Sequence, residues 1–164
     1  MFYKSFKMEN MENTTLIYIE KNSKYLMLHR TKKENDINRD KWIGIGGHFE
    51  EAESPEDCVK REVMEETGLT LNSMEYRGIV TFVSDDNFTE FMHLFWSDDF
   101  SGNIKECNEG ELEWVEKSRM KELPHWEGDE IFLDLLEKRV PFFSLKLVYK
   151  KGELLQAVLN GELL

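Results

Sequence analysis

The chain has 164 residues, with 33 acidic against 21 basic side chains and a net charge of −12. Such a field repels a polyphosphate backbone and excludes duplex nucleic acid as a partner, while an anionic small molecule stays compatible if metal ions and local bases offset it. The length suits one domain with a sizeable core, and no apolar run approaches membrane-spanning length.

Residues 1–13 are polar, carry Met1, Met8 and Met11, and lack the apolar region of a signal peptide. They are expected to be an extension preceding a single domain over 14–164. Thr14 to Glu20 and Lys24 to His29 read as two strands about an Asn-Ser turn. The charged loop 30–39 brings Arg30 and Lys32, and Lys41 follows it. A solvated loop accounts for these cations, and so does reach toward substrate phosphates. Trp42 to Gly46 reads as a short strand ending in glycines.

From Gly47 to Leu69 runs GHFEEAESPEDCVKREVMEETGL, a glycine loop entering a helix. Ser54 is a good N-cap, Pro55 suits the first helical position, and Glu56 and Asp57 complement the positive end of the dipole. Gly68 stands where a left-handed residue ends a helix, so the helix is predicted over Pro55–Thr67. Steps of three and four put Glu62, Glu65 and Glu66 on one face, with Val59 and Val63 a quarter turn away as anchors. At ~5 Å and an effective dielectric of about 20, each carboxylate pair costs roughly 3 kcal/mol before screening. A divalent cation converts that repulsion into a site, and oxygen-only ligands favour magnesium or manganese. A solvated acidic helix is the plain alternative.

Ser73 to Ser84 and Phe88 to Trp96 read as strands turned by Asp85-Asp86-Asn87. The polar loop 100–110 ends with Glu109, five residues before Trp114. Ser118 to Leu123 reads as a short helical piece. Gly128 to Lys138 is an amphipathic helix predicted to turn Ile131, Leu135 and Leu136 inward. Phe142 to Lys150 and Glu153 to Leu159 form a hairpin about Lys151-Gly152. A helix lying between strands predicts an α/β sandwich around a mixed sheet. Cys58 and Cys107 are too few for a disulfide framework and lack zinc-type spacing, which fits a reducing cytoplasm.

Gly47, Glu53, Arg61, Glu62, Val63, Glu65, Glu66, Gly68 and Leu69 match the Nudix box at every specified position. At average residue usage this coincidence is on the order of 10⁻⁹ at any one start. The chain therefore resembles a Nudix hydrolase. From about Thr14 to the C-terminus it is similar to MutT-type enzymes that hydrolyse oxidised purine nucleoside triphosphates. The resemblance implies a Nudix-type α/β/α sandwich and Mg²⁺ or Mn²⁺ as cofactor. It implies that water attacks a nucleoside diphosphate linkage, releasing a monophosphate and, from a triphosphate, pyrophosphate. It assigns the Gly47 carbonyl, Glu62, Glu65 and Glu66 to the metal, Glu109 to a further metal ligand or base unless it is a solvated loop residue, Glu53 to a ligand or base role, and Arg61 to orienting a glutamate. Which glutamate takes the proton stays open.

The same resemblance sets Trp126 on the nucleobase and Asp129 at its edge, with Gly128 where relatives carry a second acidic reader. Lys32 and Lys41 are the phosphate-binding candidates, and Phe82 or Phe91 supplies a second aromatic face, unless these rings are ordinary core. The human oxidised-purine enzyme has a base-reading asparagine where this chain has Ile43. Three readings follow: a hydrolase clearing oxidised purine nucleotides such as 8-oxo-dGTP, a hydrolase of another nucleoside diphosphate derivative (a nucleotide sugar or dinucleoside polyphosphate), and a non-catalytic nucleotide-binding module. The complete set of glutamates favours an enzyme. The expected partner is a small nucleotide, with no membrane, and either a monomer or a homodimer fits.

Overall fold

A computed structural model describes residues 11–164. In chain order the elements are β1 (Met11–Lys21), β2 (Lys24–Arg30), β3 (Trp42–Ile43), β4 (Ile45–His48), α1 (Pro55–Thr67), β5 (Thr70–Leu71), β6 (Glu75–Val83), β7 (Thr89–Ser97), β8 (Phe100–Ser101), β9 (Gly110–Glu116), α2 (Asp129–Glu137), β10 (Phe143–Lys150), β11 (Glu153–Leu159) and β12 (Glu162–Leu163). Short 3-10 turns occupy Asp85–Asn87 and Lys117–Glu122. Met11, Glu12 and Asn13 belong to β1, and the rest of the expected extension lies outside the described residues.

Strand β1 is the hub. Along Met11–Ile19 it runs parallel to β7, over Thr14–Ile17 it pairs antiparallel with β4, and its end at Glu20–Lys21 pairs with β2. A second parallel contact joins β10 to β6, and the remaining strand pairs are antiparallel, which makes the sheet mixed. The single strand predicted over Trp42–Gly46 is instead two strands broken at Gly44. Gly44 is buried, and a Cβ there would stand 2.7 Å from the Ile17 carbonyl oxygen. Beyond this close approach the chain leaves β2 and turns to β1, carrying Gly46 and Gly47 with it.

Helices cover both faces. The helix α1 packs through Cys58, Val59 and Val63 on a core of Ile17, Ile19, Leu26, Leu28, Ile45 and Phe95. On the other face α2 packs against Tyr18, Val80, Leu94, Leu145 and Leu147. Here the predicted inward stripe needs correction. Phe132 and Leu136 are the buried residues of α2, while Ile131 and Leu135 are half-buried. Phe132 packs against Tyr18 with the rings tilted by 53° and their centroids 6.0 Å apart. The apolar residues of α2, Ile131, Phe132, Leu133, Leu135 and Leu136, spread over more than half of the helix circumference, so periodicity alone did not rank them.

Candidate active site

The caps of α1 set the geometry. The Ser54 hydroxyl accepts from Asp57 N at 3.1 Å, Asp57 accepts from Ser54 N at 3.0 Å, and Gly68 closes the helix at φ 77°. With the axis fixed, Glu62, Glu65 and Glu66 face the β4 glycines. The fit is close. A Cβ on Gly47 would meet the Glu62 carboxyl carbon at 2.5 Å, and Gly46 N donates to Glu66 Oε2 at 3.3 Å.

Arg61 holds the outer glutamates together. Its Nε and Nη2 donate to the two Glu53 oxygens at 2.5 and 3.0 Å, and its Nη1 to Glu62 at 2.8 Å and Glu65 at 3.1 Å. Nη2 also reaches the His48 carbonyl at 2.9 Å. The Arg61 hydrogen bond, with a second from Glu50 N, lowers the Glu53 carboxyl to about 2. Both Glu53 oxygens are thus engaged behind Arg61, outside the cleft wall that Glu62, Glu65 and Glu66 line. Burial raises the Glu62 carboxyl, and Arg61 only partly offsets it.

Glu66 and Glu109 form a second carboxylate pair. Burial first, then the charges of Glu109 and Glu62, push Glu66 well above the usual range. Burial acts on Glu109 the same way, but Lys33 at 2.7 Å and Arg30 at 2.5 Å hold it below. Among the described residues no three His, Cys, Asp or Glu side chains stand gathered at metal-ligand spacing. The glutamates divide instead between Arg61 and the Arg30–Lys33 pair. As a donor set they still fit a hard divalent cation, being carboxylates beside a glycine whose missing side chain leaves its backbone against Glu62.

The carboxylates occupy one end of a cleft of about 460 Å³. The other end is aromatic. Trp126 meets Phe82 edge-on at 5.2 Å and Tyr149 at 5.1 Å, and its Nε1 donates to Asn38 at 2.7 Å. Asp129 is buried at the base of this slot, and desolvation raises its carboxyl to about 7 against the pull of His125 and Lys41. Gly128 has no room for an acidic side chain, since a Cβ would meet Leu147 at 2.5 Å and the Tyr149 hydroxyl at 2.6 Å. Ile43 lines the cleft; Phe91, one step along β7 from the lining residues Glu90 and Met92, is on the strand's other face. A larger cavity of about 720 Å³ under α2 shares Tyr18 and Asp129 but none of the α1 glutamates.

Of the predicted site residues, the structure brings Gly47, Glu62, Glu65, Glu66, Glu109, Arg61, Phe82, Trp126 and Asp129 to this cleft. Lys41 Nζ sits over the Trp126 ring at 4.4 Å, at the aromatic end rather than beside the carboxylates. Lys32 is not brought to the cleft and donates to the Cys107 carbonyl at 2.6 Å. The cations that line the cleft from the same loop are Arg30 and Lys33. Cys58 and Cys107 are free, buried thiols. Sequence reasoning passed over Asn38 and Glu90. Asn38 carries no sequence signal, whereas Glu90 shares a strand face with Met92 and Leu94, an acid in an apolar stripe.

The NUDIX domain model matches residues 11–136. The Nudix hydrolase YvcI of Bacillus subtilis is 31% identical over 136 residues, covering 80% of this chain and 82% of that protein. The oxidized purine nucleoside triphosphate hydrolase of Mus musculus is 28% identical over 112 residues, covering 67% of this chain and 71% of its own. Among solved structures, the MutT protein of Bacillus halodurans superposes with a TM-score of 0.81 at 27% identity, covering 92% of this chain and 99% of that one. No helix among the described residues is long and apolar enough to cross a membrane.

Proposed function

The chain belongs to the NUDIX domain family, and on that premise we propose that it hydrolyses nucleoside triphosphates to monophosphate and pyrophosphate, preferring oxidised purine nucleotides such as 8-oxo-dGTP and using Mg²⁺ or Mn²⁺. One observation carries this reading. A single cleft joins the α1 glutamates and the Gly46–Gly47 strand to an aromatic slot with a buried acid. A phosphate chain and a base have different needs, and the two ends of the cleft meet one each.

Glu62, Glu65, Glu66, Glu109 and the Gly47 carbonyl are the residues that would hold the cation. When bound, such a cation neutralises phosphate oxygens and acidifies the attacking water. Arg61 acts through the glutamates, fixing Glu62 and Glu65 by charge-assisted hydrogen bonds, and Glu53 fixes Arg61 in turn. Arg30 and Lys33 supply positive charge at the phosphate end once Glu109 is otherwise engaged. At the base end Trp126 and Phe82 offer stacking to any purine, so selectivity falls to hydrogen bonds. Asp129 provides one. An oxidised guanine carries an N–H at its seven position that guanine lacks, and a carboxylate acceptor contributes roughly 1.5–3 kcal/mol to binding it.

The test is a panel of nucleotides, nucleotide sugars and dinucleoside polyphosphates assayed with Mg²⁺ or Mn²⁺, with pyrophosphate and phosphate detected separately. The expected result is cation-dependent release of pyrophosphate from triphosphates. Turnover confined to nucleotide sugars or dinucleoside polyphosphates would overturn the reading.

A further inference from the structure

Glu90 is a carboxylate that the proposed chemistry leaves unused. It lies on β7 directly opposite Phe82 of β6, so the two side chains rise from one face of the sheet. Both line the cleft, and Phe82 is the ring that meets Trp126 edge-on. The carboxylate therefore stands beside the aromatic slot, two positions along β7 from Met92 in an otherwise apolar stripe.

Its partners are few. Thr14 Oγ1 donates to Oε1 at 2.8 Å, and the nearby charges are His48, which favours the ionised form, and Glu12, which opposes it. Burial outweighs both Thr14 and His48 and raises the carboxyl above its usual range. Pinning Thr14 requires only a neutral acceptor, which a glutamine supplies without the desolvation cost of an acid. The charge, and the second oxygen, are what a structural role does not account for.

We propose that Glu90 is a specificity residue, accepting a hydrogen bond from a donor on the nucleoside part of the substrate, either a base amine or a sugar hydroxyl. The proposal rests on the cleft being a nucleoside triphosphate site. With Asp129 it gives the slot two acceptors, one buried and one half-buried, which reward a donor-rich nucleoside and leave an acid unpaired against one that lacks the donor.

Matched substrate pairs test it. GTP against dGTP differs by the 2′-hydroxyl, dGTP against its 3′-deoxy analogue by the 3′-hydroxyl, and dGTP against dITP by the base amine. Wild type is expected to favour the donor-bearing member of one pair by about tenfold to a hundredfold in kcat/KM. Glu90→Met is expected to abolish that ratio and Glu90→Gln to keep part of it, and the affected pair identifies the donor. Because each ratio is taken within one variant, a partial loss of folded protein cancels. Wild-type ratios preserved on all three pairs in Glu90→Met would overturn the proposal. Failure of the parent reading looks different: wild type itself would neither hydrolyse these nucleotides nor show quenching of tryptophan fluorescence by them, and the proposal would fall with it.

Discussion

At Glu66 and Asp129 two carboxyls are buried in one cleft, and burial acts on both in the same direction. They differ in their neighbours, since Glu66 faces Glu109 and Glu62, whereas Asp129 faces His125 and Lys41. For Asp129 the sign of the pH effect follows directly. Desolvation lifts its carboxyl in the folded chain to about 7, above the ordinary aspartate value of 3.8, so the folded chain keeps a proton that the unfolded chain releases. Its contribution to stability therefore falls as pH rises through that window and is fully lost above the folded value. Asp129→Asn removes the slope, so the stability of the variant minus that of wild type should grow by roughly 2–4 kcal/mol between about pH 4 and pH 8. Denaturant melts of both proteins across that range check it, and a constant difference would contradict it. Glu66→Gln carries a second prediction. It should remove most turnover and most of the rise in Tm produced by millimolar Mg²⁺, by linkage of cation binding to folding. A folded Glu66→Gln protein with wild-type turnover would show that the helix acid is structural. The α1 glutamates and Arg61 are legible in the sequence because their spacing is local and their motif is dense, whereas Trp126 and Asp129 are reached only through the family resemblance. Asn38 and Lys33 are not legible, since only the closed 31–41 loop brings them to Trp126 and Glu109.

At the scale of elements, α1 is legible to the residue because each of its ends is marked by side-chain or backbone chemistry within a few positions. That makes its caps testable. Ser54→Ala should cost ~1 kcal/mol of stability. Gly68→Ala should cost roughly 1–2 kcal/mol, since the new side chain sits at φ 77° with its Cβ 3.0 Å from the Asn103 carbonyl oxygen. Chemical denaturation reads both, and an unchanged midpoint would mean that α1 is held by packing alone. The adjacent glycines of β4 separate stability from chemistry. A Cβ on Gly46 would stand 1.8 Å from the Thr15 backbone oxygen, so Gly46→Ala must break the β1–β4 pairing. The atoms nearest a Cβ on Gly47 are the tip of the Glu62 side chain, which can swing away. Gly47→Ala should therefore keep a near-wild-type Tm while losing Mg²⁺-dependent turnover, and Gly46→Ala should lose both. The split of β3 from β4 and the face of α2 are not legible, because both depend on a distant strand: Ile17 crowding Gly44 in one case, Tyr18 selecting Phe132 in the other.

For the molecule as a whole, the two parallel contacts of β1 with β7 and of β10 with β6 carry Phe82, Glu90 and Leu147 to the same cleft wall from strands far apart in the chain. Helix α1 closes one end with carboxylates, and the segment leading into α2 closes the other with Trp126 and Asp129. The net charge of −12 attracts cations at long range and opposes a polyanion, an opposition that Arg30 and Lys33 offset locally. On the proposed reading, reaction and selectivity are separable functions of opposite ends of one cleft. The direct measurement is kcat/KM for 8-oxo-dGTP and for dGTP at a pH above about 7, where Asp129 is ionised, in wild type and in Asp129→Ala, with pyrophosphate release as the readout. Wild type should favour the oxidised nucleotide by about tenfold to a hundredfold, the worth of one hydrogen bond to a charged acceptor. Asp129→Ala should lose activity on 8-oxo-dGTP far more than on dGTP. Equal kcat/KM for the two nucleotides in wild type would contradict the oxidised-purine reading.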